Sequence, residues 1–422
     1  MSCHLPDILA APADESFFPE ISVVLPCLNE VRTLAACIDV AKQAFVDLGV
    51  RGEVVVADNG STDGSCDLAR AHGARLVPVT PHGYGHALRA GIEAARAPLV
   101  IMGDADGSYD FSGPALKPFL EALRAGNDLV VGNRFAGGIR SGAMPWKNRY
   151  IGNPLLSACG RLFFQSPCRD FHCGLRALRK SVWPRLALRT GGMEFASEMI
   201  VRASLLGLRM AEVPATLSPD GRDRPPHLRP WRDGWRHLRF MLLFSPRWLF
   251  LYPGFFLCGC GVVLGGRLLA GPLRLGGVTL DVHTLLFCAI AVLTGFQSIQ
   301  FSVFAKAFAI RCGLWPRDRS FENLMSRLSL ESGLVVGVCF ILAGLALGVA
   351  AVAQWGSRHF GDLSPQETLR QVIPSGMLLT LGVQIVLGSF FLGILGLNVL
   401  PVPTEDEENG NAAGSADSTF SL

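Results

Sequence analysis

Apolar positions follow two different patterns along this chain. Up to about residue 230 they come in short runs, each closed by polar or glycine-bearing turns. "ISVVLP" (21–26), "GEVVVAD" (52–58), "ARLVPV" (74–79), "APLVIMGD" (97–104) and "NDLVVGN" (127–133) read as strands. Stretches with helical spacing lie between them. One runs from Glu30 to about residue 48. A second follows "STDGS", which offers Ser61, Thr62 or Asp63 as its cap, and a third opens on "GYGHALRAGIEAA". Strands and helices alternating at this spacing predict an α/β domain, a Rossmann-like, mostly parallel sheet covered on both faces. Such sheets bind ligands in the crevice at the carboxyl ends of their strands. Asn29, Asp58 and Asp104 each sit just past a strand end and are expected along one rim.

Beyond residue 249 the runs lengthen. Near 249–266, 284–305, 333–354 and 377–400 the chain carries no charge. Each run approaches the roughly 20 apolar residues that a membrane-spanning helix needs. Four spans put both termini on one side. The loop between the second and third holds Arg311, Arg317, Arg319 and Arg327, which marks it as cytoplasmic. Gly344 and Gly348 either let helices pack closely or are ordinary membrane glycines.

Between the two patterns, "WRDGWRHLRFMLL" (231–243) spaces Trp231, Trp235, Leu238 and Leu242 as one helical face, with Arg232, Arg236 and Arg239 beside it. A basic helix with tryptophans predicts a seat in the headgroup layer, against packing on its own domain. The expected division is therefore an N-terminal segment 1–19, an α/β domain 20–230, an amphipathic interfacial helix 231–246, a transmembrane domain 247–400 and a disordered acidic tail 401–422.

Composition agrees with this division. Among the 422 residues 50% are hydrophobic and 17% charged, too apolar for an ordinary soluble enzyme. A net charge of +3 gives no case for nucleic-acid binding. The first residues carry neither a basic start nor a long apolar core, so no cleaved signal peptide is expected and the α/β domain should be cytoplasmic. The 12 cysteines form no C-x-x-C pair and read as reduced packing thiols. Cys168, His172 and Cys173 lack a second ligand pair at zinc-site spacing and read as structural.

The chemistry concentrates in "VIMGDADGSYDF" (100–111), where a strand delivers Asp104, Asp106 and Asp110 into one loop. Crowded carboxylates repel one another and call for a cation. A D-x-D at a strand end seats magnesium or manganese, whose other positions go to water and phosphate oxygens.

"VVLPCLNE", "VVVADNGSTDG", "GYGHALRAGIEAA", "MGDADGSYD" and "VGNRFAGG" follow in that order. Together they resemble the family 2 glycosyltransferases of GT-A fold, in particular the dolichol-phosphate mannosyltransferase and polyprenyl-phosphate glycosyltransferase branch, over about residues 20 to 230. The resemblance implies nucleotide-sugar contacts from Pro26, Asn29, Glu30, Asp58 and Asp63. It implies the same for Gly83, Gly85 and Gly91, where glycine lets backbone approach the nucleotide. Asn59 stands where the family has a second acid, and Ser61 and Gly64 complete that pattern. Asp104 and Asp106 match the metal and diphosphate motif, with Ser108 in place of a common glutamine. Arg134 and Arg149 match arginines placed around phosphates, an anion a guanidinium fork suits. "DFHCGLRALRK" (170–180) departs from the branch at His172 and Cys173; its Asp170 and Arg176 either line the sugar or acceptor site or form a structural ion pair. Glu194, Glu198 and Glu212 are further carboxylates, Glu198 matching a position near the sugar. Arg222, Arg224 and His227 loosely match a basic loop reaching over donor and acceptor phosphates.

The expected activity is inverting, metal-dependent transfer from a nucleotide sugar to a polyprenyl phosphate, with Asp104, Asp106 and Arg134 catalytic. Its partners are donor, lipid acceptor and membrane, and the spans can do more than anchor, for example by promoting homo-oligomers. Three rivals stand beside it. A processive polysaccharide synthase would show Q-x-x-R-W, and "FSPRW" (244–248) has Phe244 in the glutamine's place. Another membrane lipid can be the acceptor. A non-catalytic nucleotide-binding scaffold or flippase would carry functional intramembrane charges, and few are present.

Overall fold

A computed structural model gives the structure of the chain over residues 18–221, 230–327 and 329–396. It divides into two compact units, with the boundary between Trp248 and Leu249. In the first unit the order is β1 Ile21–Cys27, α1 Leu34–Asp47, β2 Gly52–Asp58, α2 Ser65–Ala71, β3 Arg75–Pro78, α3 Tyr84–Ala94, β4 Leu99–Met102, α4 Gly113–Arg124, β5 Leu129–Asn133, α5 Arg134–Gly137, α6 Asn153–Phe164, β6 Arg176–Arg179, α7 Trp183–Leu186, α8 Phe195–Leu205, β7 Met210–Pro214 and α9 Pro230–Leu243. A π-type turn, Asn148–Gly152, leads into α6.

The seven strands form one sheet in the order β3-β2-β1-β4-β6-β5-β7. β6 runs antiparallel to both its neighbours and the other pairs are parallel. β1 is buried at nearly every position because it lies between β2 and β4 with helices on both faces. That explains its unbroken apolar run. β3 is an edge strand and ends on Pro78, which needs no ladder partner for its nitrogen. Two strands, β6 and β7, were not marked by the apolar pattern. β6 reads "RALR", and its Arg176 is fully buried because Nε, Nη1 and Nη2 donate to the carbonyls of Cys173, Ala196 and Phe171.

The residue before α2 is Gly64, at φ 92°. Of the three expected caps it is Asp63 that meets the helix, its Oδ1 accepting from Ser65 N at 3.0 Å and Ser65 Oγ at 2.6 Å. Ser61 and Thr62 make other bonds, described below. The helix expected over 231–243 is present as α9. It buries His237, Phe240 and Met241 in the first unit's core, while Arg232, Trp235, Arg236 and Arg239 are exposed. One face therefore packs on its own domain and the tryptophan and arginine face stays outward.

The second unit holds α10 Tyr252–Leu269, a β8–β9 hairpin (Leu273–Leu275 and Val278–Leu280), α11 Val282–Arg311, α12 Arg319–Arg327, α13 Leu330–Ser357 and α14 Pro365–Gly396. Four helices among the described residues are long and apolar enough to cross a membrane: Arg247–Leu269, α11, α13 and α14. Glycine sets their pairing. A Cβ at Gly261 would lie 2.7 Å from the Cys288 carbonyl oxygen of α11, and one at Gly382 would lie 2.6 Å from that of Gly337. Gly344 and Gly348 both face α14, where Ser375 Oγ donates to the Gly344 carbonyl at 2.7 Å. They are contact residues, as small groups between apolar helices allow.

Candidate active site

Chain order reverses across β1 and β4, so the carboxyl ends of these strands flank the sheet's topological switch point. Three loops meet there. After β1, Asn29 adopts a left-handed backbone (φ 59°). Its N–H donates to Ser61 Oγ at 2.8 Å, and its Oδ1 accepts from Thr62 N at 2.8 Å. Glu30 N donates to Ser65 Oγ, and Val31 N to Asp63 Oδ2, each at 3.0 Å. The loops after β1 and β2 are thus laced together by Asn29, Ser61 and Asp63. Asp58 is buried and accepts from the amides of Gly60 and Ser61, which closes its own turn. Pro26 lies within β1, in register with Ala57.

Asn59 has a clear role. Its Nδ2 donates to the carbonyls of Val79 and Pro81, and its Oδ1 accepts from Gly83 N. A carboxylate could not donate to those two carbonyls. The amide therefore fits the departure from the family's acidic pattern and ties β2 to the start of α3. There the glycines also allow close contacts within the chain. A Cβ at Gly83 would lie 2.2 Å from the Gly191 carbonyl oxygen, and one at Gly85 would lie 2.5 Å from that of Thr190. Gly91 lets α3 sit on the sheet, 2.4 Å from Val24 by the same measure. The 189–190 stretch is held in turn by Glu198, a buried carboxylate accepting from Arg189 N, Thr190 N and Thr190 Oγ1. Glu194 places one buried carboxylate oxygen, Oε2, without a hydrogen-bond partner among the described residues.

The third loop carries the acids. Gly107 takes φ 78°, which bends the chain just after Asp106. Asp106 is buried, and its Oδ1 accepts from Ser108 N at 3.0 Å and Ser108 Oγ at 2.6 Å. Thr33 Oγ1 donates to the Ala105 carbonyl at 2.7 Å, fastening this turn to α1. Cys37 senses the result. Burial foremost pushes its thiol up to about 11, and Asp106, Glu30 and Asp104 add to the rise. These three carboxylates therefore share one small region of the rim. Tyr84 hydrogen-bonds Asp104, and burial, then that carboxylate, hold its hydroxyl well above the usual phenol range. Tyr109 Oη accepts from Gly174 N at 2.7 Å. A Cβ at Gly174 would lie 2.8 Å from Asp104 Oδ2. Sequence reading missed Tyr84, Tyr109 and Gly174. The signal for Tyr84 was its place between two glycines, and for Gly174 the single small residue in "HCGLR".

The arginines divide. Arg134, expected at a phosphate, forms a buried fork in this structure: its Nε and Nη2 each donate to Asp170 at 2.7 Å, and its own N–H donates to the same carboxylate at 3.0 Å. Burial opposes the charge, yet Tyr109 and Asp170 hold the guanidinium above its ordinary value. Asp170 is paired with Arg134, and Arg176 with carbonyls, so these two form no pair with each other. Glu212 completes the cluster, accepting from Asp170 N and Asn133 Nδ2. Arg149 is half-buried on the π-type turn, over the Tyr150 ring at 5.4 Å. Arg222, Arg224 and His227 lie outside the described residues. His172 packs edge-on against His237 at 4.6 Å, and burial foremost, then His237, Arg134 and Arg176, keep it neutral. Among the described residues no three His, Cys, Asp or Glu side chains gather as a metal-binding group, Cys168, His172 and Cys173 included.

Comparison with known proteins places this geometry. The family model for glycosyl transferase family 2 matches residues 22–186, and that for the glycosyltransferase family 2 C-terminal transmembrane region matches residues 303–396. The chain is 36% identical over 396 residues to the low-salt glycan biosynthesis hexosyltransferase Agl6 of Haloferax volcanii, with 93% of each chain covered. It is 30% identical over 202 residues to a dolichyl-phosphate hexose transferase of the same organism, covering 47% of this chain and 83% of that one. A crystal structure of Mycobacterium tuberculosis glucosyl-3-phosphoglycerate synthase with Mn2+, uridine diphosphate and glucosyl-3-phosphoglycerate aligns at 23% identity and TM-score 0.39, covering 54% of this chain and 78% of that one. With one family model on the sheet, another on the spans and a relative matched nearly end to end, the chain belongs to glycosyltransferase family 2: a GT-A-type catalytic domain followed by a transmembrane region.

Proposed function

We propose that this glycosyltransferase moves a hexose from a nucleotide sugar to a polyprenyl phosphate, with inversion at the anomeric carbon. The observation that carries the reading is the acid turn, Asp104 and Asp106, at the sheet's switch point in a chain that continues into four apolar helices. A relative named as a dolichyl-phosphate hexose transferase supports the acceptor class.

The donor set fits a hard divalent cation: two carboxylates stand on one turn, and such an ion fills its other positions with water and phosphate oxygens. Asp104 and Asp106 would hold magnesium or manganese. When bound, such an ion neutralises charge developing on a diphosphate leaving group. The chain's own residues do the rest. Ser108 fixes the Asp106 carboxylate and Tyr84 that of Asp104. Asn29, Asp58 and Asp63 hold the two loops that wall the donor side. Arg149, with Arg222, Arg224 and His227, would meet the acceptor phosphate. Arg134 acts through Asp170 by fixing the end of β5. A phosphate monoester is already largely ionised near neutral pH, so the acceptor oxygen attacks without a strong general base. Placement and charge stabilisation then supply most of the rate. The arginine-bearing loop after α11 supports a cytoplasmic site.

The test is radiolabel transfer by the full-length protein in detergent. It offers a panel of UDP- and GDP-sugars with undecaprenyl or dolichyl phosphate and Mg2+ or Mn2+, beside Asp106→Asn. Label entering the organic phase only with the intact protein, and lost on chelation by EDTA, is the expected result. Metal-dependent donor binding without transfer to any polyprenyl phosphate would overturn the acceptor class.

A further inference from the structure

We propose that Glu194 selects the donor's hexose by accepting hydrogen bonds from its hydroxyls, a role that rests on the nucleotide-sugar reading. Glu194 stands just before α8, and its Oε2 is buried with no hydrogen-bond partner among the described residues. A buried acceptor left bare costs more than a made hydrogen bond contributes, so the group calls for a ligand. Neighbouring carboxylates are already engaged. Glu198, which the family resemblance puts near the sugar, accepts from Arg189 N, Thr190 N and Thr190 Oγ1. Asp170 is held by Arg134.

The chain makes room for this carboxylate. A Cβ at Gly192 would lie 2.5 Å from Glu194 Oε2, and one at Gly191 would overlap His86 Nε2. Two successive glycines are thus flanked by an imidazole and a carboxylate, polar groups beside backbone that carries no side chain. Such a surface suits hydroxyls. Packing ties it to the acid turn. Gly85 N donates to the Gly191 carbonyl at 2.9 Å, and a Cβ at Gly85 would lie 3.1 Å from Phe195 Cβ. The residue before Gly85 is Tyr84, which hydrogen-bonds Asp104. From the other side, Arg176 donates to the Ala196 carbonyl in the first turn of α8. Glu194 therefore stands next to the wall that fixes Asp104. In a nucleotide sugar the hexose follows directly on the diphosphate, so a donor whose diphosphate meets Asp104 brings its hydroxyls towards this wall. A carboxylate binds hydroxyls through charge-assisted bonds. A site built that way rejects a sugar whose hydroxyl is misplaced, because the buried oxygen is left unpaired. Hexose epimers differ in that one respect.

The test is donor binding with no lipid acceptor present, so it stands apart from the acceptor class. Full-length protein in detergent with Mn2+ is titrated calorimetrically with UDP, GDP, UDP-glucose, UDP-galactose, GDP-glucose and GDP-mannose. Glu194→Gln should weaken binding of the preferred donor roughly 10–100-fold, towards that of its bare nucleotide diphosphate. Its preference over the hexose epimer should shrink by a similar factor. Affinity for the bare diphosphate and the melting temperature should not move. Wild-type donor affinity and epimer preference in the variant would overturn the proposal. Loss of diphosphate binding together with melting temperature would overturn it by making Glu194 a residue of the fold. Normal donor binding with abolished transfer would overturn it in favour of a role towards the acceptor. Wild-type protein that binds donors without transfer to polyprenyl phosphate would sink the acceptor class alone, whereas wild-type protein that binds none of them would sink both readings.

Discussion

Two charged sites in the catalytic domain look alike in the sequence and differ in the fold. The acid turn, Asp104 to Ser108, and the arginine of "GNRF" both match phosphate-handling motifs. The turn stays on the rim, with Asp104 half-buried and Asp106 held by Ser108. Arg134 is turned inward and neutralised by Asp170 through two side-chain bonds and one backbone bond. The rim site concentrates one sign of charge and so is suited to recruiting the other. The inner site is balanced within the chain and so stiffens the end of β5. Motif identity located both sites; only the surroundings separate chemistry from architecture.

The largest way to break this contrast is Asp170→Asn. It leaves the Arg134 charge buried beside a neutral amide, which costs roughly 3–5 kcal/mol. The protein should lose apparent melting temperature in detergent by many degrees, measured by thermal unfolding, and transfer should fall only as folded protein is lost. The double change Arg134→Met with Asp170→Asn removes the unpaired charge and should recover much of that stability. If Asp170→Asn instead left stability intact and abolished transfer, the pair would belong to the active site.

Next in size is the mirror experiment on the rim. Asp106→Asn keeps an acceptor for Ser108 and removes the charge. Transfer should fall roughly 10²–10³-fold while the melting temperature hardly moves. Mn2+ binding followed by electron paramagnetic resonance should weaken in parallel. A variant that binds Mn2+ normally would contradict the assignment of Asp106 as a ligand.

Smaller again is Gly174→Ala. The new methyl would stand 2.8 Å from Asp104 Oδ2 and 3.1 Å from Tyr109 Cε2, so the acid or the ring must shift. A displacement of that scale predicts a loss of roughly 10–100-fold in kcat with folding preserved. Tyr84→Phe should produce the same kind of change and a weaker one, because it frees Asp104 from one hydrogen bond without displacing it. Unchanged kinetics in Gly174→Ala would show that Asp104 tolerates more than one position.

Legibility in the sequence follows the same division. β1, β2 and β4 were readable because covered strands must be apolar on both faces, and the rim order of Asn29, Asp58 and Asp104 followed from strand ends alone. β6 was not, because its two arginines are satisfied by carbonyls that only the fold brings to them: Arg176 by Ala196, Arg179 by Leu123 and Asn127. The burial of Arg134 was hidden for the same reason, since only the fold brings Asp170 to it. The inward stripe of α9 was not legible because tryptophan and arginine spacing cannot say which other residues meet a core that lies elsewhere in the chain. Glycine was legible as a need for space, and its neighbour was not: Gly83 and Gly85 answer to the 190–191 carbonyls.

The smallest effect sharpens the comparison from the opposite end of the same strands. Glu53 is the second residue of β2, beside Ser22 of β1 and far along the strands from the acid turn. Its carboxylate accepts from Ser22 Oγ, from Arg96 N and from Arg75, each partner belonging to a different segment. Burial works to raise its pKa, but the hydroxyl, the amide and the guanidinium together lower it below the ordinary glutamate value. A depressed folded-state value means that Glu53 stabilises the fold above the usual carboxylate range and loses that contribution as pH falls through its folded value. Glu53→Gln should therefore cost about 1 kcal/mol at neutral pH, the modest worth of a partly exposed pair. The gap from wild type should close as the protein is unfolded at progressively lower pH, with transfer activity per folded molecule unchanged at pH 7. A gap that stayed constant with pH would mean that Glu53 acts through packing, leaving the sheet's amino end without the charge balance that distinguishes it from the acid turn.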